Sequence, residues 1–191
     1  MLPVIAFAEL LVCWILWIAV FVVQHKRITP QKPVQSAPVA RWGIAFQMLG
    51  YALVWSYVRP AEFSELLIPK PMLVLIASML LGPASVVLAW FAVRHLGKQW
   101  RVEAALSEDH ELVRTGPYVW LRHPIYTSMF GMLLATALAW TWWPMIVAGV
   151  ATFLIGTEIR VRVEDRLLST RFKESFTSYR GSAAAYIPFI R

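Results

Sequence analysis

The stretch PIYTSMFGMLLATALAWTWWPMIVAGVATFLIGT, residues 124–157, holds no Asp, Glu, Lys or Arg in 34 positions. Such a run belongs in a bilayer, where about 20 apolar residues make one helical crossing of a roughly 30 Å hydrocarbon core. As a single helix it would be about 50 Å long at roughly 1.5 Å per residue, so it has to fold back on itself. Thr141-Trp142-Trp143-Pro144 marks the reversal, since proline breaks a helix and paired tryptophans suit the membrane interface. The run reads as a helical hairpin whose halves, about 14 residues each, are short enough to stand upright or thin the bilayer locally.

Three further runs extend the pattern outward. Residues 1–23 carry only Glu9, and residues 42–58 and 71–93 carry no charge at all. Five spans are therefore expected. The whole chain agrees: of 191 residues 59% are hydrophobic and only 15% charged, with mean hydropathy +0.59, against about 45–50% and about 25% in soluble domains. A chain this short has no soluble core large enough to absorb that excess. The first run lacks a basic leader and exceeds the apolar length of a signal peptide, so a retained helix is expected.

The basic residues are unevenly divided among the connections. Lys26, Arg27, Lys32 and Arg41 lie between spans 1 and 2, and Arg94, Lys98, Arg101, Arg114 and Arg122 between spans 3 and 4. Seven more follow span 5, while only Arg59 and Lys70 fall on the other side. Sixteen against two puts the N-terminus outside and the C-terminus in the cytoplasm, in what is expected to be a bacterial inner membrane. The net charge of +7 is thus a topology signal. Basic residues that flank spans form no domain-sized basic face, so no nucleic-acid partner is expected, and the bilayer is the evident partner. A single cysteine, Cys13, excludes an intramolecular disulfide and a cysteine metal cluster. It reads as a packing or lipid-facing residue, and no obligate protein partner is evident.

Two regions follow from this: residues 1–93, three spans with a proline-bearing linker at 24–41, and residues 94–191, a loop, the hairpin and a cytoplasmic tail. After span 5 the spacing predicts a helix running on to Phe176, with Arg160 over Glu164 and Glu158 over Arg162 on shared faces. The rest, with Gly181 and Pro188, reads as an irregular tail. Pro83 is expected to kink span 3. Small residues at Ser78/Gly82 and Ala148/Thr152/Gly156 permit close helix contact. Glu9 is either a functional carboxylate or one reaching the interface.

The connection at residues 94–123 carries more chemistry than a connector needs. Gly116-Pro117 forces a turn in which Val113, Arg114 and Thr115 can offer backbone groups, and His123-Pro124 opens span 4. Tyr118, Arg122, His123 and Tyr126 gather at the same membrane boundary. Four scattered histidines make poor zinc geometry, and neither a phosphate-binding loop nor a dinucleotide fingerprint is present.

Taken jointly, GPYxxxRHPxY at 116–126, the hairpin after it, ExxxxxED at 158–165 followed by Arg-Leu-Leu, and the late IPF resemble the isoprenylcysteine carboxyl methyltransferase family. The resemblance spans residues 96–190. Its C-terminal arrangement is shared less closely with phospholipid N-methyltransferases and more distantly with membrane sterol reductases. It implies an all-α integral-membrane enzyme that uses S-adenosylmethionine, releasing S-adenosylhomocysteine, without a Rossmann domain. Carried over by position, His110, Leu112, Gly116, Tyr118, His123, Pro124 and Glu164 would form the cofactor pocket. Val113, Pro117, Arg122 and Tyr126, at the same boundary, are counted with them. Two positions depart from the family pattern: its Glu-Glu is Glu164-Asp165 here, and its Phe-Gly is Phe172-Lys173, which suggests a helix that continues.

The residues support such a site on their own chemistry. Aromatic faces such as Tyr118 or Trp120 and a carboxylate suit a sulfonium, at about 0.5–2 kcal/mol per cation–π contact. Glu164 could take the cofactor's ammonium, and His123 or backbone donors its carboxylate. A carboxylate acceptor needs a positioned cation such as Arg122 or Arg160 but no base, whereas an amine acceptor needs a base such as Glu164 or Asp165. Arg122, Arg160, Glu164 and Asp165 are therefore the candidate catalytic residues. Carboxyl O-methylation of a lipophilic, isoprenylcysteine-like substrate leads; N-methylation, a nicotinamide-dependent reductase and a transporter are the rival readings.

Overall fold

The computed structural model describes residues 2–27, 35–56 and 72–188. Helix α1 (Leu2–Arg27), a short strand β1 (Gln35–Ser36) and helix α2 (Ala40–Trp55) come first. Helix α3 (Met72–Leu96), strand β2 (Ala105–Leu106), the hairpin α4 (Pro124–Trp140) and α5 (Trp143–Phe172), and α6 (Glu174–Ser182) follow. Arg59, Lys70, part of the 24–41 linker and Phe189 lie outside the described residues.

This is an all-α membrane protein. Segments 4–26, 72–99 and 143–172 are each long and apolar enough to cross a membrane, while α2 and α4 run 16 and 17 residues. Large apolar side chains remain exposed along the helices, with Ile15 67% and Leu73 79% accessible, as a lipid-facing surface requires. The hairpin reverses at Thr141-Trp142, and Pro144 sits in the first turn of α5, where its missing N–H costs nothing. Helix α3 is continuous through Pro83.

Helix directions follow from the contacts. Cys13 of α1 meets Gly82 of α3, so the cysteine is a packing residue. The Ser78 hydroxyl donates to the Ala135 carbonyl at 2.7 Å, and Trp14 donates to the Thr136 hydroxyl at 3.0 Å. The Gln47 amide donates to Thr157 at 3.0 Å between α2 and α5. Interhelical bonds of this kind stabilise apolar bundles by about 0.6 kcal/mol each on average. Two glycine pairs bring α2 and α5 together antiparallel: a Cβ on Gly50 would stand 2.8 Å from the Gly149 carbonyl oxygen. The ladder leaves the ends of α1, α3 and α5 and the starts of α2 and α4 at one face. There the Gln24 amide donates to Gly97, and β1 pairs antiparallel with β2.

Two expectations for the tail are corrected. Helix α5 does not run on to Phe176; it stops at Phe172 because Lys173 adopts φ +46°. The chain then re-enters a helix, so Tyr179, Arg180, Gly181 and Ser182 are helical, and the irregular tail begins at Ala183.

Candidate functional site

Gly116 has φ +59°, a left-handed conformation that glycine adopts without strain, and its Cα packs against the His95 ring, leaving no room for a Cβ. Pro117 follows with its fixed φ, so residues 116–119 form one turn of 3-10 helix that tucks Tyr118 inward. The next residues are stitched to the tail beyond α6. Leu121 bridges Ala184 in parallel, and the Arg122 and His123 amides donate to the Ala184 and Ala185 carbonyls, both at 2.8 Å. The Tyr179 hydroxyl donates to the Tyr118 carbonyl at 2.6 Å. The loop is thus tied to both α6 and the tail that follows it.

That clamp delivers Arg122 and His123 to the two adjacent carboxylates of α5. Asp165 takes Arg122 Nη2 at 3.1 Å on one oxygen and His123 Nε2 at 2.9 Å on the other. Glu164 takes His123 Nδ1 at 3.3 Å and Arg160 Nη2 at 2.8 Å. The Tyr126 hydroxyl donates to Glu164 Oε1 at 2.5 Å and accepts from Arg160 Nε at 2.5 Å. Arg160 also donates to the Val102 carbonyl at 2.9 Å, tying the loop before β2 to α5. Arg122 spends its remaining amine on the Ala183 and Arg180 carbonyls. Arg122, His123, Arg160 and Asp165 are all at most 7% exposed, so the network is desolvated and its pairing obligatory.

The electrostatics outside the helices follow from this. Burial alone would push the His123 imidazole down, but hydrogen bonds to Asp165 and Glu164, and their charge, outweigh it and hold the pKa above the usual value. Both His123 ring nitrogens thus face carboxylate oxygens, Nε2 that of Asp165 and Nδ1 that of Glu164. His110 goes the other way, lowered to about 4 by burial and by Arg101 and Arg171, with Glu111 opposing. Burial raises Tyr179 to about 12 and keeps Tyr118 a neutral phenol.

Beside the network lies a cavity of about 420 Å³, within the usual range of ligand sites. Its floor is polar: Tyr118, Arg122, His123, Tyr126, Arg160 and Glu164. Trp17, Phe21 and Val22 of α1 and Ile44 and Met48 of α2 line an apolar wall. Residues 99–106, 110–113, Leu167, Leu168 and Tyr179 are also among the lining.

Against known families, the model of the isoprenylcysteine carboxyl methyltransferase family matches residues 74–170. The chain belongs to that family. Among named relatives, it is 32% identical over 89 residues to protein-S-isoprenylcysteine O-methyltransferase of Saccharomyces cerevisiae, covering 47% of this chain and 37% of that protein. It is 30% identical over 91 residues to the Tribolium castaneum protein of the same name, covering 47% and 32%. A Bacillus subtilis protein named YpbQ is 31% identical over 98 residues, 48% of this chain and 58% of that one. The chain thus matches between 32% and 58% of its relatives' lengths. The isoprenylcysteine carboxyl methyltransferase match takes in α3, the loop, the hairpin and both carboxylates but not α1 or α2.

Of the residues singled out from sequence, His110, Leu112, Val113, Tyr118, Arg122, His123, Tyr126, Arg160 and Glu164 all reach the cavity. Gly116, Pro117 and Pro124 stand behind the lining and shape the turn and the helix start. Asp165 is also behind it, holding Arg122 and His123 rather than facing the cavity. Sequence reasoning missed Gln99, Trp100, residues 102–106, Leu167, Leu168, Tyr179 and the α1–α2 wall. Tyr179 sits in a predicted irregular tail, and the wall depends on which helices are neighbours, which no local spacing encodes.

Proposed function

We propose that this protein is a multi-pass membrane methyltransferase that uses S-adenosylmethionine to O-methylate the carboxylate of a lipophilic, isoprenylcysteine-like acceptor at the cytoplasmic membrane face. The observation that carries the reading is the cavity itself, which joins an ionic floor to an apolar wall of bundle helices. One end suits a charged reacting centre, the other a hydrocarbon chain drawn from the bilayer. The skew of sixteen basic residues toward this end supports its cytoplasmic placement.

The residues fit an adenosyl sulfonium donor. Arg160 Nη1 is buried with no partner at the cavity, and the Glu164 side chain keeps 22% exposure there. When bound, S-adenosylmethionine supplies an electrophilic methyl group. Glu164 would hold the donor's ammonium, and the faces of Tyr118 and Tyr126 would lie near its positive charge. Arg160, its Nε and Nη2 fixed by Tyr126, Val102 and Glu164, has Nη1 left to orient an acceptor carboxylate. Both carboxylates of the site are committed to cations, so neither stands free as a base. That favours a carboxylate nucleophile, which has no proton to lose, over an amine. Arg122 and Asp165 act by position, keeping His123 and the loop in place so that the reactants are held in line.

Calorimetry of S-adenosylmethionine and S-adenosylhomocysteine against the detergent-purified protein tests the reading, with Glu164→Ala alongside. Saturable binding weakened by the substitution, and methyl transfer to S-farnesylcysteine, are expected. Folded wild type that binds NADPH in preference to either compound would overturn it in favour of a reductase.

A further inference from the structure

Ile18 and Val22 of α1 and Met48 of α2 all line the cavity, yet they are 50%, 47% and 48% exposed. Helix α1 packs chiefly on α3 and α2 chiefly on α5, so the cavity meets the lipid-facing surface in the cleft between α1 and α2. Val22 and Ile18 precede the Arg27 end of α1 by roughly 7.5 and 13.5 Å along the helix axis. The side mouth therefore opens in the apolar belt, below the polar helix ends.

At the water-facing end the loop after α3 roofs the same cavity. Trp100, Ala104, Ala105 and Leu106 line it and are buried. Trp100 is held near Phe21 and His25 of α1, with ring centroids 5.9 and 6.1 Å away. Strand β1, from the α1–α2 connection, lies along β2 with Gln35 opposite Leu106 and Ser36 opposite Ala105. The Ala37 amide extends the pairing to the Ala104 carbonyl at 3.0 Å. Val102 and Glu103 form the exposed outer edge of the roof, and Arg160 draws the Val102 carbonyl inward. The roof is latched to α1, to the α1–α2 connection and to α5.

We propose that the acceptor is a free lipophilic carboxylic acid, a small molecule drawn from the bilayer, and not the carboxyl end of a lipidated polypeptide. This rests on the methyl-transfer reading above and narrows its substrate class. An acid whose carboxylate reaches Arg160 can lay its hydrocarbon through the side mouth. A polypeptide trailing from the same residue has two ways out, and each is unfavourable. Through the mouth, its backbone N–H and C=O groups would enter hydrocarbon, which cannot pair them. Through the roof, it would have to part β1 from β2 or Arg160 from Val102, and Arg160 is the group that orients the acceptor. The roof can close over a compact donor but not over a trailing chain. The bond changes are the same for either acceptor: a carboxylate oxygen bonds the methyl carbon as the carbon–sulfur bond breaks, leaving a neutral thioether and no proton to remove.

The test is methyl transfer by wild type and Ala37→Pro in lipid nanodiscs to N-acetyl-S-farnesylcysteine and to a peptide ending in S-farnesylcysteine, with melting temperatures to establish folding. The two acceptors share the hydrocarbon and the free carboxylate and differ in what the cysteine nitrogen carries. Wild type should use the small acceptor with kcat/KM roughly tenfold or more above that of the peptide. Ala37→Pro removes the amide that extends the ribbon and should narrow that ratio by about threefold or more. A smaller wild-type ratio overturns the proposal, as does a folded Ala37→Pro protein that keeps the full ratio. If Ala37→Pro does not fold, the wild-type ratio decides the matter. Methylation of neither acceptor by folded wild type would instead remove the isoprenylcysteine-like acceptor, and this inference with it, while binding of S-adenosylhomocysteine shows whether the cofactor reading stands.

Discussion

Gly156 faces Gly43 across the α2–α5 crossing so closely that a Cβ on Gly156 would stand 2.5 Å from the Gly43 carbonyl oxygen. A Cβ on Gly43 would meet Arg160 Cγ at the same distance, so this contact also sets where the arginine leaves its helix. Replacing Gly156 by Val should push the helices apart, at about 1–3 kcal/mol for overpacking. The measurement is thermal unfolding in detergent; an unchanged melting temperature would contradict the close crossing.

Asp165→Asn removes the charge that holds both Arg122 and His123. Breaking a buried pair on one side costs about 3–5 kcal/mol. Asp165→Asn should therefore melt well below wild type, and more so than Glu158→Gln, whose partner Arg162 lies at the surface. Equal losses in the two variants would argue against a buried role for Asp165.

His123 and His110 predict opposite pH dependences. His123 is raised when folded, so its contribution is fully present below about pH 6.5 and is lost as pH rises through the higher folded value. His110 is lowered to about 4, so the folded state binds fewer protons and stability falls as pH drops from about 6.5 toward 4. The wild-type minus His123→Gln difference in melting temperature should shrink as pH rises through the folded value. The wild-type minus His110→Asn difference should turn against wild type on acidification. Differences that stay flat across pH 4–9 would refute both assignments.

On the proposed reaction, Arg160→Lys keeps a positive charge but loses the planar fork that meets Tyr126, Val102 and Glu164 together. The acceptor's KM should rise roughly tenfold or more, with S-adenosylhomocysteine affinity changed less than about threefold. A loss confined to cofactor affinity would move Arg160 to the donor's side of the cavity.

Much of this arrangement can be read from the chain before folding. Charge-free runs mark the apolar helices, and Thr141-Trp142 marks the hairpin because proline and tryptophan act locally. Arg160 and Glu164 are neighbours through helical spacing alone, and the structure holds them at 2.8 Å. Other parts were illegible for physical reasons. Lys173 breaks α5 with a positive φ that glycine usually takes, so its residue type hid the stop. The two-residue pairing of β1 with β2 is too short to leave a periodic signal. Gln99 looks like any polar loop residue until its carbonyl is found buried. Asp165, beside Glu164 in sequence, shares His123 with it but holds Arg122 where Glu164 holds Arg160 and Tyr126.

The parallel bridge between Leu121 and Ala184 makes the geometry of the loop depend on residues about sixty positions further along the chain. Before translation has passed Tyr186, the bundle helices have been made but His123 lacks the backbone acceptor that orients it. Assembly of the ionic floor is thus expected to be post-insertional, and a nascent chain arrested at Ser182 should enter the membrane while remaining unable to close this site.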